Sequence, residues 1–170
     1  GATAIELRDV PNSFDAFVSA GIDHCATRLH DIAESAIQVD QFEPLNSEQP
    51  CSSSIVDVLR ACIQSIQPLQ YFLWSPKAAV RMMQKLGTVL FGYVNLMHQV
   101  CVGYAGQLGE SWAQANRPFL ATGPRTPRED REEDAGKLLR KIFAQINNLF
   151  YAHQQLAELG EKVDTLHSIL

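Results

Sequence analysis

The sequence predicts an all-α fold, a single-domain bundle of four to five helices around a long central helix at about residues 76–108. Apolar residues recur at helical spacing in several separate segments of the chain. The central segment carries no charged side chain between Lys85 and Glu110, which is typical of a helix buried on most sides. No alternating pattern with hairpin turns competes, so we expect no sheet.

Composition limits the classes of function. The 170 residues suit one domain, and 46% hydrophobic with 19% charged residues excludes intrinsic disorder. The net charge of −5 argues against direct contact with nucleic acid, which needs a basic surface. Four widely spaced cysteines form no metal or redox motif and favour an intracellular compartment, cytoplasmic or nuclear. Because the chain begins without methionine, we interpret residues 1–170 as a fragment of a longer protein.

Two helices are predicted in the first half, after an N-terminal arm at residues 1–12. Asn12 and Ser13 are N-cap candidates for the first helix, which we expect to end near Val39. A proline- and serine-rich loop follows. The second helix is predicted from the serines at 52–54 to about Ile66, before Pro68. The apolar residues 69–74 could add a short fifth helical turn.

The central helix is predicted to begin at Ser75-Pro76, an N-cap followed by proline at the first helical position. A membrane span is the alternative interpretation, because the uncharged run is long enough to cross a bilayer. Polar residues such as Asn95 and Gln99 interrupt this run, so we predict a bundle helix and no membrane span.

The last helix follows a long internal loop at residues 109–128. Thr126, Pro127 and Glu129 form a capping box that marks its start. Its apolar residues share one face, which we expect to line the core; they are Leu138, Leu139, Ile142, Phe143, Ile146, Leu149, Phe150, His153 and Leu156. Beyond Gly160 the apolar positions rotate to a different face, which predicts a bend or a second contact surface.

No catalytic, cofactor-binding or metal-binding constellation is visible, so we predict a protein that is not an enzyme and holds no cofactor. The histidines are isolated from one another, and His153 is expected to be a core histidine on the apolar face of the last helix. Cys51 lies in a polar loop, and we expect it to be the one exposed thiol. Whether that thiol is reactive stays open.

The leading hypothesis is a non-enzymatic protein–protein interaction or dimerisation domain, as a regulatory part of a larger protein. The central helix carries a seam of small and polar residues that would let another chain approach closely. Trp112 and the displaced apolar residues of the C-terminus could also meet a partner, which is another protein or a second copy. The interface candidates are Gly92, Asn95, Gln99, Gly103, Gly106, Trp112, Leu166 and Leu170.

The alternative hypothesis is a helical carrier or sensor that binds an apolar small molecule or lipid in the bundle core. Aromatic and methionine side chains at helical spacing could line such a cavity, although the same residues often form an ordinary core. The pocket candidates are Tyr93, Met97, Tyr104 and His153.

Overall fold

A computed structural model describes the backbone of residues 10–69, 76–115 and 128–169, and the side chains of 14–67, 77–113, 133–158 and 160. These residues form four helices: α1 (Val10–Val39), α2 (Ser53–Leu69), α3 (Pro76–Ala115) and α4 (Arg128–Ile169). The described part of the chain contains no strand. The predicted all-α class is therefore confirmed.

Some helix boundaries agree with the sequence signals and others do not. α1 ends at Val39 as predicted but begins at Val10, so the N-cap candidates Asn12 and Ser13 lie inside it and the predicted arm is shorter than residues 1–12. α2 continues to Leu69, past the predicted stop at Pro68.

α2 and α3 begin at Ser53 and Pro76, where the serines and the Ser-Pro pair predict them. α3 continues to Ala115, so the first part of the predicted 109–128 loop is helical. α4 runs through Gly160 to Ile169 without ending there. The N-terminal arm up to residue 9 and most of the predicted fifth helical turn lie outside the described residues.

The four helices form a bundle in which α1 packs on α2 and α3, and α4 packs on α3 and α2. The order around the bundle is thus α1, α2, α4, α3, with α2 and α3 diagonally opposed. Asp23 pairs with Arg81, and His30 approaches Gly92, so α1 and α3 run parallel. Tyr93 meets Asn148 while Tyr104 meets Lys141, so α3 and α4 are antiparallel.

The core draws large apolar side chains from three helices and small ones from the fourth. α3 is the central contributor, with residues such as Met82, Leu90 and Tyr93 fully or nearly fully buried. α1 and α2 add isoleucine, leucine and valine side chains. Among the described side chains of α4, the buried apolar residues are Ala144 and Ala152, and the partly buried Tyr151 also packs against the core. The described part of α4 therefore packs on the bundle mainly through small and polar residues.

Ion pairs join α1 to α3 at the edge of the core. The carboxylate of Asp23 lies 2.6 Å from Arg81 Nη2 and 3.0 Å from Lys85 Nζ. Hydrogen bonds from Lys85 and Arg81 lower the pKa of Asp23 below its usual value. About two helical turns further along, a Cβ on Gly92 would lie 3.4 Å from the ring of His30. These contacts fix the parallel register of α1 against α3.

The loop between α1 and α2 closes one end of the bundle. Phe42 adopts a positive φ of 56° and is 97% buried, with its ring edge-on to Tyr104 at 6.0 Å. Its backbone N–H donates to the Asp40 carboxylate at 2.8 Å, which stabilises this tight turn. α3 continues beyond Tyr104, and residues 105–113 are mostly exposed. α3 and the start of α4 thus extend past the end of α1.

One described helical segment, Lys77–Ala113, is long and apolar enough to cross a membrane by length and mean hydropathy, 1.2. The central helix of a bundle passes the same test. In this fold α3 buries Met82, Tyr93 and Met97 against its neighbours, but only 28% of its apolar window is buried. The expectation of a helix buried on most sides was therefore wrong, because α3 is packed on one side and exposes residues such as Phe91 and Val102 on the other.

Candidate interaction surface

The inward face of α4 is polar at its centre. Asn148 is fully buried, and Gln145 is 1% exposed. Ala144 and Ala152 flank them and allow α4 to approach its neighbours closely. The side-chain amide of Gln145 has no hydrogen-bond partner among the described residues. α4 is therefore held against the bundle by a polar residue between two small ones.

Asn148 is the centre of a buried hydrogen-bond network that spans three helices. Its Oδ1 accepts the backbone N–H of Ser52 at 2.7 Å, and its Nδ2 donates to Ser52 Oγ at 2.8 Å. Nδ2 also lies 3.3 Å from the hydroxyl oxygen of Tyr93. The Tyr93 hydroxyl and Ser54 Oγ are 3.0 Å apart. The amide thus satisfies polar groups from α3 and from the start of α2.

Asp40 completes this network at the N-terminus of α2. Its carboxylate accepts the hydroxyl of Ser52 and, at 3.1 Å, the backbone N–H of Ser54. The first N–H groups of a helix have no partner within the helix, and negative charge is favourable there. The serines mark the start of α2, as the sequence predicts, but the capping carboxylate lies more than ten residues earlier.

The network fixes the rotation of α4 about its own axis. Turning α4 so that Asn148 faced solvent would leave the Ser52 N–H and the Tyr93 hydroxyl buried with fewer partners. Each buried polar group left unpaired costs about 1–3 kcal/mol.

Burial raises the pKa of Tyr93 above its ordinary value, and this effect outweighs that of the hydrogen bonds with Ser54 and Asn148, which lower it. The phenol is therefore a neutral, structural group.

The opposite side of α4 carries an exposed apolar stripe. Leu139, Phe143, Ile146 and Phe150 follow the alternating spacing of four and three residues that is typical of a helix–helix seam. The side chains of Phe143 and Phe150 are 60% and 70% exposed. We name the exposed large apolar residues of this helix the α4 apolar face; they are Leu139, Phe143, Ile146, Leu149, Phe150 and Leu156.

The expectation that this face lines the core was wrong. Helical spacing identifies an apolar face but does not say which side of the helix meets the bundle. Here the buried network selects the side of Asn148, so the apolar residues turn outward. His153, expected in the core, is exposed on the same outer side. Leu138 and Ile142 are half-buried at the margin.

Charge is absent from the middle of α4, and charges of both signs lie towards its two ends. Residues 142–157 contain no Asp, Glu, Lys or Arg. Lys137 and Arg140 precede this stretch, and Glu158 follows it. Lys137 also pairs with Glu133 of its own helix at 2.8 Å. An uncharged apolar centre with charged ends is typical of a protein interface.

The other predicted interface residues whose side chains are described lie on α3 and not on α4. Gly92 is half-buried beside His30 of α1, so its small size serves a contact within the chain. The remaining seam residues are exposed, and a Cβ on Gly103 or Gly106 would meet nothing within 4 Å in the described part of the chain. Trp112 is 63% exposed near the end of α3. The side chain of Leu166 and the whole of Leu170 lie outside the described residues.

The four pocket candidates are dispersed. Tyr93 and Met97 are packed in the core, and Tyr104 is half-buried between Phe42 and Lys141, whose Nζ lies 5.3 Å from the ring centre. His153 is outside the core. Grooves are found elsewhere among the described residues, for example one of about 640 Å³ between α1 and α3 and one of about 380 Å³ between α2 and α4. Neither is lined by any of the four.

The cysteines also differ from expectation at one position. Cys51 is 2% exposed, and its neighbours Pro50 and Ser52 hydrogen-bond to Asn147 and Asn148, which holds this end of the loop against α4. The predicted exposure of Cys51 was therefore wrong. Burial raises the pKa of Cys51 and raises that of Cys62 to about 12. All four cysteines are free, and the described residues hold no group of three His, Cys, Asp or Glu side chains placed to bind a metal.

Sequence reasoning found the apolar stripe of α4 but missed the network that turns it outward. The available signal was the pair Asn147-Asn148 in the middle of an uncharged helix. Asn148 lies opposite Phe143 and Phe150 on a helical projection at 100° per residue. The spacing alone does not show whether the asparagine side or the apolar side of α4 is buried. The hydrogen bonds of Asn148 with the distant residues Ser52 and Tyr93 determine it.

No protein-family model, curated protein or solved structure matches this chain. The function is therefore argued from the geometry of its own residues.

Proposed function

We propose that the chain is a non-enzymatic helical domain that binds a protein partner through the α4 apolar face, as an intracellular, regulatory part of a larger protein. The observation that supports this most is the exposure of Phe143 and Phe150 on the helix whose opposite side buries Asn148. A chain that buries an asparagine and exposes two phenylalanines on one helix has an apolar surface available for a second molecule.

The size of the face supports the same proposal. A fully exposed large apolar side chain has an accessible surface of about 200 Å². At their observed exposures, the six residues of the α4 apolar face together expose roughly 600 Å² of largely apolar surface. That area is at the upper end of the largest apolar patches on monomeric proteins, which are often functional. Covering it would contribute roughly 25 cal/mol per Å² before the costs of association.

Site-specific photocrosslinking tests whether the face binds protein at all. A photoreactive phenylalanine analogue replaces Phe143 in the whole protein, expressed in its own cells. The matched control replaces Phe17, which is 76% exposed on α1, the helix diagonally opposite α4. We expect an adduct with a polypeptide from position 143 and none from position 17. Equal labelling at both positions, or no adduct at 143, contradicts the proposed function.

A further inference from the structure

We propose that α4 is a releasable helix, which detaches from α2 and α3 and docks again while α1, α2 and α3 stay folded, and that Gln145 keeps its docking weak. This inference concerns the inner side of α4, so it does not depend on which partner covers the α4 apolar face. Segments held by few buried apolar contacts open at a lower free energy than the core of a protein does. The apolar packing, the hydrogen bonds and one buried amide of α4 support release.

The apolar packing of α4 is weaker than that of the other helices. Its buried apolar side chains, among those described, are Ala144 and Ala152, and Tyr151 is partly buried. The other three helices bury isoleucine, leucine, valine or methionine side chains against one another. An alanine removes far less apolar surface from water than any of these, so α4 contributes little hydrophobic free energy to its own docking.

Contacts among α1, α2 and α3 persist when α4 leaves. α1 packs on both α2 and α3, and Asp23 of α1 pairs with Arg81 and Lys85 of α3. The ion pairs of α4 among the described side chains join Lys137 to acidic residues of the same helix. Release of α4 therefore breaks no ion pair between helices in the described part of the chain.

The hydrogen-bond network around Asn148 is also largely complete without α4. The Tyr93 hydroxyl and Ser54 Oγ are 3.0 Å apart, and Asp40 accepts the Ser52 hydroxyl and the backbone N–H of Ser54. All of these groups lie outside α4. On release, the backbone N–H of Ser52 loses the Asn148 oxygen and gains access to water. Exchange of a protein hydrogen bond for one to water costs little compared with leaving a buried group unpaired.

Gln145 opposes docking. Its side chain is 1% exposed, and neither Nε2 nor Oε1 has a hydrogen-bond partner among the described residues. Burial removes the hydrogen bonds of this amide to water and supplies none in return. Release returns the amide to water, so Gln145 favours the released form. An apolar side chain of similar shape at this position would favour the docked form.

Release uncovers the core side of α3. Tyr93 is fully buried while Asn148 of α4 lies against it, and it becomes accessible when α4 leaves. Because this exposure is unfavourable, the released form is the minor one. A molecule that binds the uncovered side of α3 would raise the population of the released form by its preference for that form. α4 thereby controls access to the core side of α3.

Hydrogen exchange of the folded wild-type chain, measured peptide by peptide with mass spectrometry, tests release without any substitution. A helix in a protein owes most of its stability to tertiary packing, so the amides of released α4 lose protection. We expect the peptides of residues 133–158 to exchange at one common rate, at least tenfold faster than the buried parts of α1 and α2. Equal rates in all helices overturn the proposal, because α4 would then open only with the whole bundle. Fast exchange confined to the ends of α4 also overturns it, because the helix would then fray and not release.

The variant Q145M tests the role assigned to Gln145, because methionine has a similar shape and no polar amide. We expect exchange along residues 133–158 to slow at least fivefold in Q145M, with the rates in α1 and α2 changed less than twofold. The matched control is Q154M, which makes the same change at an exposed position of α4 and should leave every rate within twofold. Unchanged or faster exchange of α4 in Q145M contradicts the assignment to Gln145.

Discussion

Asn148 Nδ2 lies 3.3 Å from the hydroxyl oxygen of Tyr93, so an amide on α4 and a phenol on α3 share a hydrogen bond inside the bundle. Both residues are fully buried. The pair joins the two longest helices and sets the rotation of α4. Because Asn148 faces inward, Phe143 and Phe150 face outward, and the α4 apolar face follows from this one polar contact.

Replacement of Asn148 by alanine should destabilise the fold by about 2–4 kcal/mol, because Ser52 N–H and the Tyr93 hydroxyl lose a buried partner. Urea unfolding followed by circular dichroism measures this loss. The neighbouring Asn147 gives a matched control, since its amide donates to the carbonyl of Pro50 at 3.1 Å in an exposed setting. We expect N147A to cost about 0.5 kcal/mol. Equal losses in the two variants would mean that the network does not hold α4.

The stability of the fold should fall as pH rises above about 9. Tyr93 and Cys62 both have raised pKa values in the folded protein, Cys62 at about 12, so the unfolded chain releases their protons first. Their contribution is fully present below the unfolded pKa values and is lost as pH rises toward the folded ones. Urea unfolding from pH 7 upward measures this dependence.

The variant C62A tests the cause of that alkaline loss. Removing the thiol should flatten the fall of unfolding free energy with pH by up to about 1.4 kcal/mol per pH unit. The variant is also less stable at neutral pH, because it leaves a small cavity, so the slope and not the absolute value is compared. An unchanged slope in C62A contradicts the assignment of this dependence to Cys62.

Replacement of Gly103 and Gly106 by alanine tests whether the partner binds the predicted seam of small and polar residues on α3 or the α4 apolar face. Both glycines are exposed and their added Cβ atoms meet nothing nearby in the described chain, so each change should stabilise the helix by about 0.5–1 kcal/mol. Thermal unfolding measures this gain. The adduct formed by the photoreactive residue at position 143 should not change in these variants. If G103A/G106A abolishes that adduct, the seam carries the contact.

Thiol labelling with peptide-resolved mass spectrometry tests the burial of Cys51. In the native protein we expect Cys51 and Cys62 to stay unlabelled while the half-buried Cys25 and Cys101 react. All four should react in urea. Labelling of Cys51 before the others would mean that the end of the loop at Cys51 is not held against α4.

The elements whose signals are local could be predicted from the sequence. The start of α3 at Pro76 depends on a Ser-Pro pair, and the start of α2 depends on adjacent serines, so both are encoded within a few residues. The end of α1 at Val39 was also predicted, but its start at Val10 was not, and α3 continues through Gly109 to Ala115. A glycine weakens a helix without ending it.

The candidate surface could be predicted only in part. The apolar residues of α4 are visible as a periodic stripe, but the side of the helix that packs depends on contacts with residues nearly one hundred positions away, such as Asn148 with Ser52. The burial of Cys51 has the same origin, since a polar loop sequence does not reveal that this end of the loop is held against α4. Both errors come from tertiary contacts that composition and spacing do not encode.

Charge placed on each side of α4 tests the orientation of this helix, the central claim, most directly. The variant F143E/F150E puts two carboxylates on the outer side, and A144E puts one at a residue that is 1% exposed on the inner side. We predict that F143E/F150E stays folded, with an unfolding free energy within about 1 kcal/mol of the wild type. A144E should unfold. A folded A144E together with an unfolded F143E/F150E would contradict the account, because the apolar face would then be the core.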